Sequence, residues 1–288
     1  MKISKLAIGT AHFGLDYGVK KDGVVDIKEI KKILSFAKKN GINTLDTSYT
    51  YKKAETKLGI VGVKDWKITS KIPPITKSKV DLKKWIYSIF LESLKNLKVT
   101  KINSLLLHDS SSLLNRKDSD TIYKILDELK QSKLVKNIGF SVYNPSELTI
   151  LIKRYNFDVV QAPFNIFDRR ILKSGLSNIL VRKKIDLHLR SIFLQGLLLA
   201  EQGDLDKKFS KYEKKLSIFH KWTKENNISN LRACISVASK IKYNKLIVGI
   251  RNHQELKDIV SSCSQTKKTV PDFYIKNNDS IINPRKWQ

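Results

Sequence analysis

The sequence is poor in cysteine, acid, arginine and long apolar runs, and each shortage removes a class of protein. Cys234 and Cys263 are its two cysteines among 288 residues. Neither lies in a C-x-x-C or beside a histidine at ligand spacing, so a disulfide framework and a zinc site are excluded and no metal is expected. No stretch approaches the roughly 20 apolar residues of a membrane-spanning helix. The start, Met1 to Gly9, carries only a brief apolar run, unlike a secretory signal. Cytoplasmic location without a membrane partner is the expectation. No G-x-G-x-x-G or G-x-x-x-x-G-K-[ST] stands between a strand and a helix, which leaves no sequence argument for a Rossmann dehydrogenase or a P-loop enzyme.

Acid is scarce enough to leave a net charge of +28, from 55 basic and 27 acidic residues. Only nine of the basic residues are Arg, and the 46 Lys are spread almost evenly over predicted helix surfaces. Proteins that read nucleic acid tend to use Arg and interleaved aromatic platforms. The basic surface therefore implies loose adhesion to polyanions at low salt, with no specific nucleic-acid partner.

The hydrophobic share of 41% and aromatic share of 9% suit a packed core. Apolar strand-like runs alternate with helix-period segments along the whole chain. The runs are Leu6 to Gly9, Ile42 to Asp46, Lys67 to Lys71, Ser104 to His108, Asn137 to Ser141, Val159 to Ala162, Leu187 to Ile192 and Leu246 to Ile250. Eight βα units predict an α/β fold of the (β/α)8 TIM-barrel type, a single domain over residues 1–288 with 266–288 as an irregular C-terminal tail that packs over one end. Asp26-Ile-Lys-Glu29 opens the clearest helix, with Ile30, Ile33, Leu34 and Ala37 on one face and Asn40-Gly41 closing it. Other helices are expected at about Leu82 to Leu97, Asp120 to Gln131, Pro145 to Tyr155, Arg170 to Lys183, Glu213 to Asn226, Asn230 to Lys240 and His253 to Ser261, with Glu201 to Lys211 as a long polar loop.

Four chemical groups stand at or just past strand ends: Asp46, Tyr51, Lys71 and His108. Such barrels build sites from successive strand ends. A phenol needs help to act as an acid near neutral pH, an ammonium beside it lowers its pKa, and a half-buried ammonium needs a carboxylate to stay charged. Either Tyr49 or Tyr51 could supply the phenol.

The ordered set Gly9-Thr10, Asp46-Thr-Ser-Tyr-Thr-Tyr51 with Glu55 and Leu58-Gly59, Ser70-Lys71, Leu105-Leu-Leu-His108, Gly139-Phe-Ser141, Gln161 and Gly249-Ile-Arg251 resembles the aldo-keto reductase family. The resemblance implies a nicotinamide-dependent oxidoreductase that reduces an aldehyde or ketone. It selects Tyr51 as general acid, with Lys71 as activator, Asp46 as partner of Lys71 and His108 as substrate orienter. It also implies that Ser141 and Gln161 hold the carboxamide, with Val142 where relatives often have Asn. Arg190 falls where many relatives stack an aromatic ring on the nicotinamide, and that Arg could instead reach an anionic substrate or the pyrophosphate. Ser191, Leu194, Gly196 and Leu197 are expected along the pyrophosphate path, and Gly249, Arg251 and the helix after Asn252 at the adenosine end. Glu255 would repel a 2'-phosphate, yet Arg251 favours NADP(H), with NAD(H) as the alternative. The loop Phe13 to Gly18, with Arg190 and Arg169-Arg170, suggests a polar pocket for a sugar-like or anionic carbonyl. Two other readings are an idle nicotinamide-binding barrel acting as a redox-sensing partner, and a Schiff-base enzyme using Lys71.

Overall fold

The apolar runs become eight strands, each paired in parallel with the next and the last with the first, in one closed barrel ordered β1 to β8. These are β1 Leu6–Gly9, β2 Thr44–Asp46, β3 Lys67–Ile72, β4 Ile102–Leu107, β5 Val135–Ser141, β6 Val159–Pro163, β7 Asp186–Arg190 and β8 Lys245–Gly249. The computed structural model describes residues 1–75, 81–114, 116–201, 205–265, 269–275 and 280–287. Strands such as β1 are buried along their whole length, because barrel interior and helix layer cover both faces of a parallel sheet.

Helix Ile27–Lys39 forms for the reasons its sequence gives. The Asp26 carboxylate accepts the Glu29 N–H at 2.8 Å, the stripe Ile30, Ile33, Leu34 and Ala37 is buried, and Gly41 beyond the end takes φ 75°. Each fully buried Ile or Leu of that stripe contributes about 1.5–3 kcal/mol. Helix Leu82–Leu97 runs as expected.

Other elements differ from expectation for local reasons. The helix expected over Arg170 to Lys183 is two, Arg170–Lys173 and Leu176–Arg182, because Gly175 between them has φ 71°. The expected helix at Pro145 begins as a 3-10 turn, Pro145–Glu147, with Asn144 accepting the Ser146 N–H, and continues as Leu148–Arg154. Asn230–Val237 likewise ends in a 3-10 turn, Ala238–Lys240. Of the expected loop from Glu201 to Lys211, residues 202–204 lie outside the described ones. Lys207–Tyr212 is a 3-10 helix whose Phe209 and Tyr212 are buried. Phe209 meets Trp287 edge to face at 5.2 Å, and Trp287 donates to the Ser280 carbonyl. In this way residues 280–287 of the tail are held over the C-terminal end of the barrel, while residues 266–268, 276–279 and 288 lie outside the described ones. Among the described residues no helix is long and apolar enough to cross a membrane, and no cluster of His, Cys, Asp and Glu could hold a metal ion.

Candidate active site

Parallel closure puts the C-terminal ends of all eight strands on one face. There Asp46 ends β2, Lys71 is one residue short of the end of β3, and His108 follows the last residue of β4. Ser141 ends β5, Gln161 lies on β6, Arg190 ends β7 and Gly249 ends β8. Tyr51 stands in the turn after β2, where its N–H bonds the Ser48 carbonyl and its own carbonyl accepts the Ala54 N–H. Gly14 packs so closely on this turn that a Cβ there would fall 1.8 Å from the Tyr51 carbonyl oxygen.

The centre is an ion pair: Lys71 Nζ lies 2.7 Å from Asp46 Oδ2, with side-chain exposures of 2% and 7%. The ammonium also donates to the Thr47 carbonyl at 2.7 Å, and the second Asp46 oxygen accepts from Gln161 Nε2. Burial pushes the Lys71 pKa down and Asp46 opposes the fall, which is the partnership expected from the sequence. The Tyr51 ring has Lys71 Nζ 5.5 Å from its centroid and His108 edge-on at 5.8 Å. Burial, and then Asp46, push the Tyr51 phenol above its ordinary value. The Lys71 ammonium donates to Asp46 and to the Thr47 carbonyl, and Arg190 is the cation that pulls the phenol the other way. His108 Nδ1 lies 3.0 Å from Ser48 Oγ and 3.1 Å from Thr50 Oγ1. Burial, with Lys71, Arg190 and Arg285, drives its pKa down to about 3, so the imidazole is neutral. Tyr49, the other candidate phenol, donates instead to Glu92 at 2.8 Å on the helix Leu82–Leu97.

These groups open into a cavity of about 660 Å³ that reaches from Asp46, Tyr51, Lys71 and His108 to Arg251, Glu255 and Asp258. A volume of this order suits a bound small molecule or cofactor. Among the cofactor residues expected from the sequence, Ser141, Gln161, Arg190, Ser191, Gly196, Gly249, Arg251 and Glu255 line it. Leu194 and Leu197 do not; both side chains are fully buried in the core, and the Leu194 N–H bonds the Ser191 carbonyl. Phe193 and Gln195 supply that wall instead. The segment is unusual in backbone as well, since Ser191, Leu194 and Gln195 all have positive φ, a conformation that costs non-glycine residues energy and collects at ligand-binding turns.

A nicotinamide dinucleotide fits these residues on two counts. Gln161 Oε1 is buried without a hydrogen-bond partner, as is His12 Nδ1 at the Gly249 side, so acceptors await donors along the cavity. The far end is rich in carboxylate: Arg251 pairs with Asp22 and with Glu255, at 2.9 Å for the latter. The helix His253–Ser264 expected to receive a phosphate already has its start capped. The N–H groups of Arg251, His253 and Glu255 donate to Glu255, Glu29 and Asn252.

Arg169 and Arg170 do not line the cavity. Arg170 pairs with Asp168 at 2.7 Å, and the buried Arg169 binds Asp272 and the Pro271 carbonyl. Tyr17, in the loop Phe13 to Gly18 expected beside the pocket, lines it, and sequence reasoning missed Tyr143, Arg285 and His12, which line it too. Tyr143, two residues past Ser141 at a strand end, carried a positional signal; Arg285, in an aperiodic tail, carried none.

A sequence model described as the aldo/keto reductase family matches residues 5–274. No curated protein matches. Among solved structures, a Pseudomonas aeruginosa protein assigned to the aldo-keto reductases is 22% identical, with a TM-score of 0.68 over 91% of this chain and 90% of that one. The holo form of an aldo-keto reductase from Bacillus halodurans is 19% identical, with a TM-score of 0.74 over 92% of this chain and 88% of that one. At these identities the structures speak for the barrel, and the family match over nearly the whole chain speaks for kinship: the chain belongs to the aldo/keto reductase family of nicotinamide-dependent, carbonyl-reducing oxidoreductases.

Proposed function

We propose that this chain is a single-domain cytoplasmic enzyme that reduces an aldehyde or ketone to an alcohol, with Tyr51 as proton donor. The observation that carries this is the convergence of Tyr51, Lys71, Asp46 and His108 on a cavity of about 660 Å³ that continues to Arg251, Glu255 and Asp258. A nicotinamide held beside Ser141 and Gln161 would supply the hydride, itself being oxidised as the carbonyl carbon is reduced. Negative charge then grows on the carbonyl oxygen, which becomes basic enough to take the proton from a phenol that holds it tightly in the resting site. Lys71, kept charged by Asp46, places a cation beside that growing charge. In the tautomer whose Nδ1 accepts from the Ser48 or the Thr50 hydroxyl, the His108 proton sits on Nε2, from which it orients the carbonyl oxygen.

Gln161 Oε1 is the acceptor for a carboxamide N–H, with Ser141 beside it, and Ser191, Gln195 and Gly196 border the pyrophosphate. The capped helix and the grip of Asp22 and Glu255 on Arg251 favour NADH over NADPH, because a 2'-phosphate dianion would have to displace carboxylates that suit ribose hydroxyls. This departs from the NADP(H) preference drawn in the sequence from Arg251 in spite of Glu255.

Cofactor oxidation followed by absorbance with 4-nitrobenzaldehyde tests the reaction. Tyr51→Phe is expected to lower kcat about 100- to 10,000-fold while cofactor binding persists. Tight cofactor binding by the wild type without turnover of any reactive carbonyl would overturn it.

A further inference from the structure

At the mouth beside Tyr51 and His108, two guanidinium groups lie on a single aromatic ring. The Arg285 carbon is 3.5 Å and the Arg190 carbon 4.3 Å from the centroid of Tyr143, so the two cations are within about 8 Å of each other, the sum of those distances. The ring is fixed from its own backbone too, where Arg170 donates to the Tyr143 carbonyl at 3.0 Å. Each guanidinium gains from the ring face, but the two repel one another at this range.

Their counterions are unequal. Arg285 pairs with Asp109 Oδ2 at 2.7 Å. Arg190 has no carboxylate among the described residues: its Nε donates to Ser141 Oγ, one Nη to Ser191 Oγ and the other to the Val142 carbonyl. All three acceptors are neutral, and two of its five N–H groups have no partner among the described residues. The nearby carboxylates stand behind the wall. Neither Asp109 nor Glu147, which accepts from Ser110, lines the cavity, whereas Arg190, Arg285 and Tyr143 do. Lys71 is already matched by Asp46, so this mouth carries one cation in excess. Both arginines also contribute to keeping His108 deprotonated.

We propose that this mouth is an anion subsite and that the substrate is a carbonyl compound bearing an oxyanion, a carboxylate or a phosphate, held by Arg190 and Arg285 while its carbonyl faces Tyr51. An oxyanion at this point supplies the missing counter-charge and accepts the unpartnered N–H groups, which planar guanidinium groups do well. The substrate class rests on the carbonyl-reductase reading, and the measurements below separate the two.

Four aromatic aldehydes decide it: 4-carboxybenzaldehyde, its methyl ester, 4-formylphenyl phosphate and 4-nitrobenzaldehyde. Wild type is expected to show a kcat/KM at least about tenfold higher for the carboxylate or the phosphate than for the ester, mostly in KM, with the preference falling as salt rises. Which of the two anions is favoured identifies the oxyanion. Arg285→Gln is expected to cut that ratio about tenfold, and Arg285→Lys to retain part of it. Arg190→Gln is a second variant, on the other cation. Equal or better use of the ester by wild type, or an Arg285→Gln loss that is the same for charged and neutral aldehydes, overturns the anion subsite. If no aldehyde turns over, calorimetric binding of 4-carboxybenzaldehyde and its ester still decides: selective carboxylate binding lost in Arg285→Gln keeps the subsite and removes the reductase reading, and equal binding removes both.

Discussion

Replacing Asp46 by Asn tests how the buried ammonium of Lys71 is kept. At 2.7 Å and an effective dielectric near 20, the attraction between the two charges is about 6 kcal/mol. The variant need not lose all of it, because Lys71 can release its proton. Neutralising a lysine with an ordinary pKa of 10.5 at pH 7 costs about 1.36 kcal/mol for each of 3.5 units, or about 5 kcal/mol, and that sets the ceiling. An amide also accepts from only one of the two donors, Lys71 and Gln161, that the carboxylate serves. The expected loss at pH 7 is about 3–5 kcal/mol, in the range for a broken buried pair. In the variant the folded pKa of Lys71 lies well below its unfolded value, so the unfolded chain binds the extra proton and stability rises with pH. The ceiling shrinks to about 2 kcal/mol at pH 9, and the deficit should shrink with it. Urea titrations followed by circular dichroism at pH 7 and pH 9 measure both quantities, and adding Lys71→Met should recover much of the loss. A deficit below about 1 kcal/mol, or one identical at the two pH values, would refute the reasoning.

His188 on β7 and His108 are both driven down to about 3 by burial. Their stabilisation is complete above pH 6.5 and drains away as pH falls from 6.5 towards 3, by at most about 1.4 kcal/mol per unit for each; His188→Gln should flatten the fall of melting temperature between pH 7 and pH 5, and an unchanged slope would count against it. Gly14→Ala should push the turn that carries Tyr51 and cost about 10- to 100-fold in kcat, and full activity would show that the turn yields freely. Glu255→Gln should shift the ratio of dissociation constants towards NADPH by about tenfold, and no shift would mean that this carboxylate does not face the adenosine ribose.

Much of the barrel and the centre of the site was legible because both follow from local patterns. Apolar runs mark strands, parallel closure aligns their C-terminal ends, and Asp46, Lys71, Gln161 and Ser141 need only those two facts to meet. Features set by distant contacts were not legible. Arg251 meets Asp22 across 229 positions, and Arg285 meets Tyr143 through a tail with no periodicity to place it. The polar composition around Phe209 and Tyr212 concealed two anchors, because two buried side chains suffice to dock a 3-10 turn whose other residues face water. Leu194 was misplaced because a turn with several positive φ values obeys neither strand nor helix periodicity, so core and cavity sides cannot be told apart from spacing.

Asp46 binds Lys71 on the adjoining β3 and Gln161 on β6, the strand diametrically opposite its own in an eight-membered ring. This one carboxylate is thus a crossbar over the open end of the cylinder. Whatever widens or flattens that end stretches the crossbar, so the spacing of Asp46, Lys71 and Gln161 is tied to the shape of the cylinder itself, whereas the walls contributed by the Asp22 segment and residues 280–287 lie outside that tie.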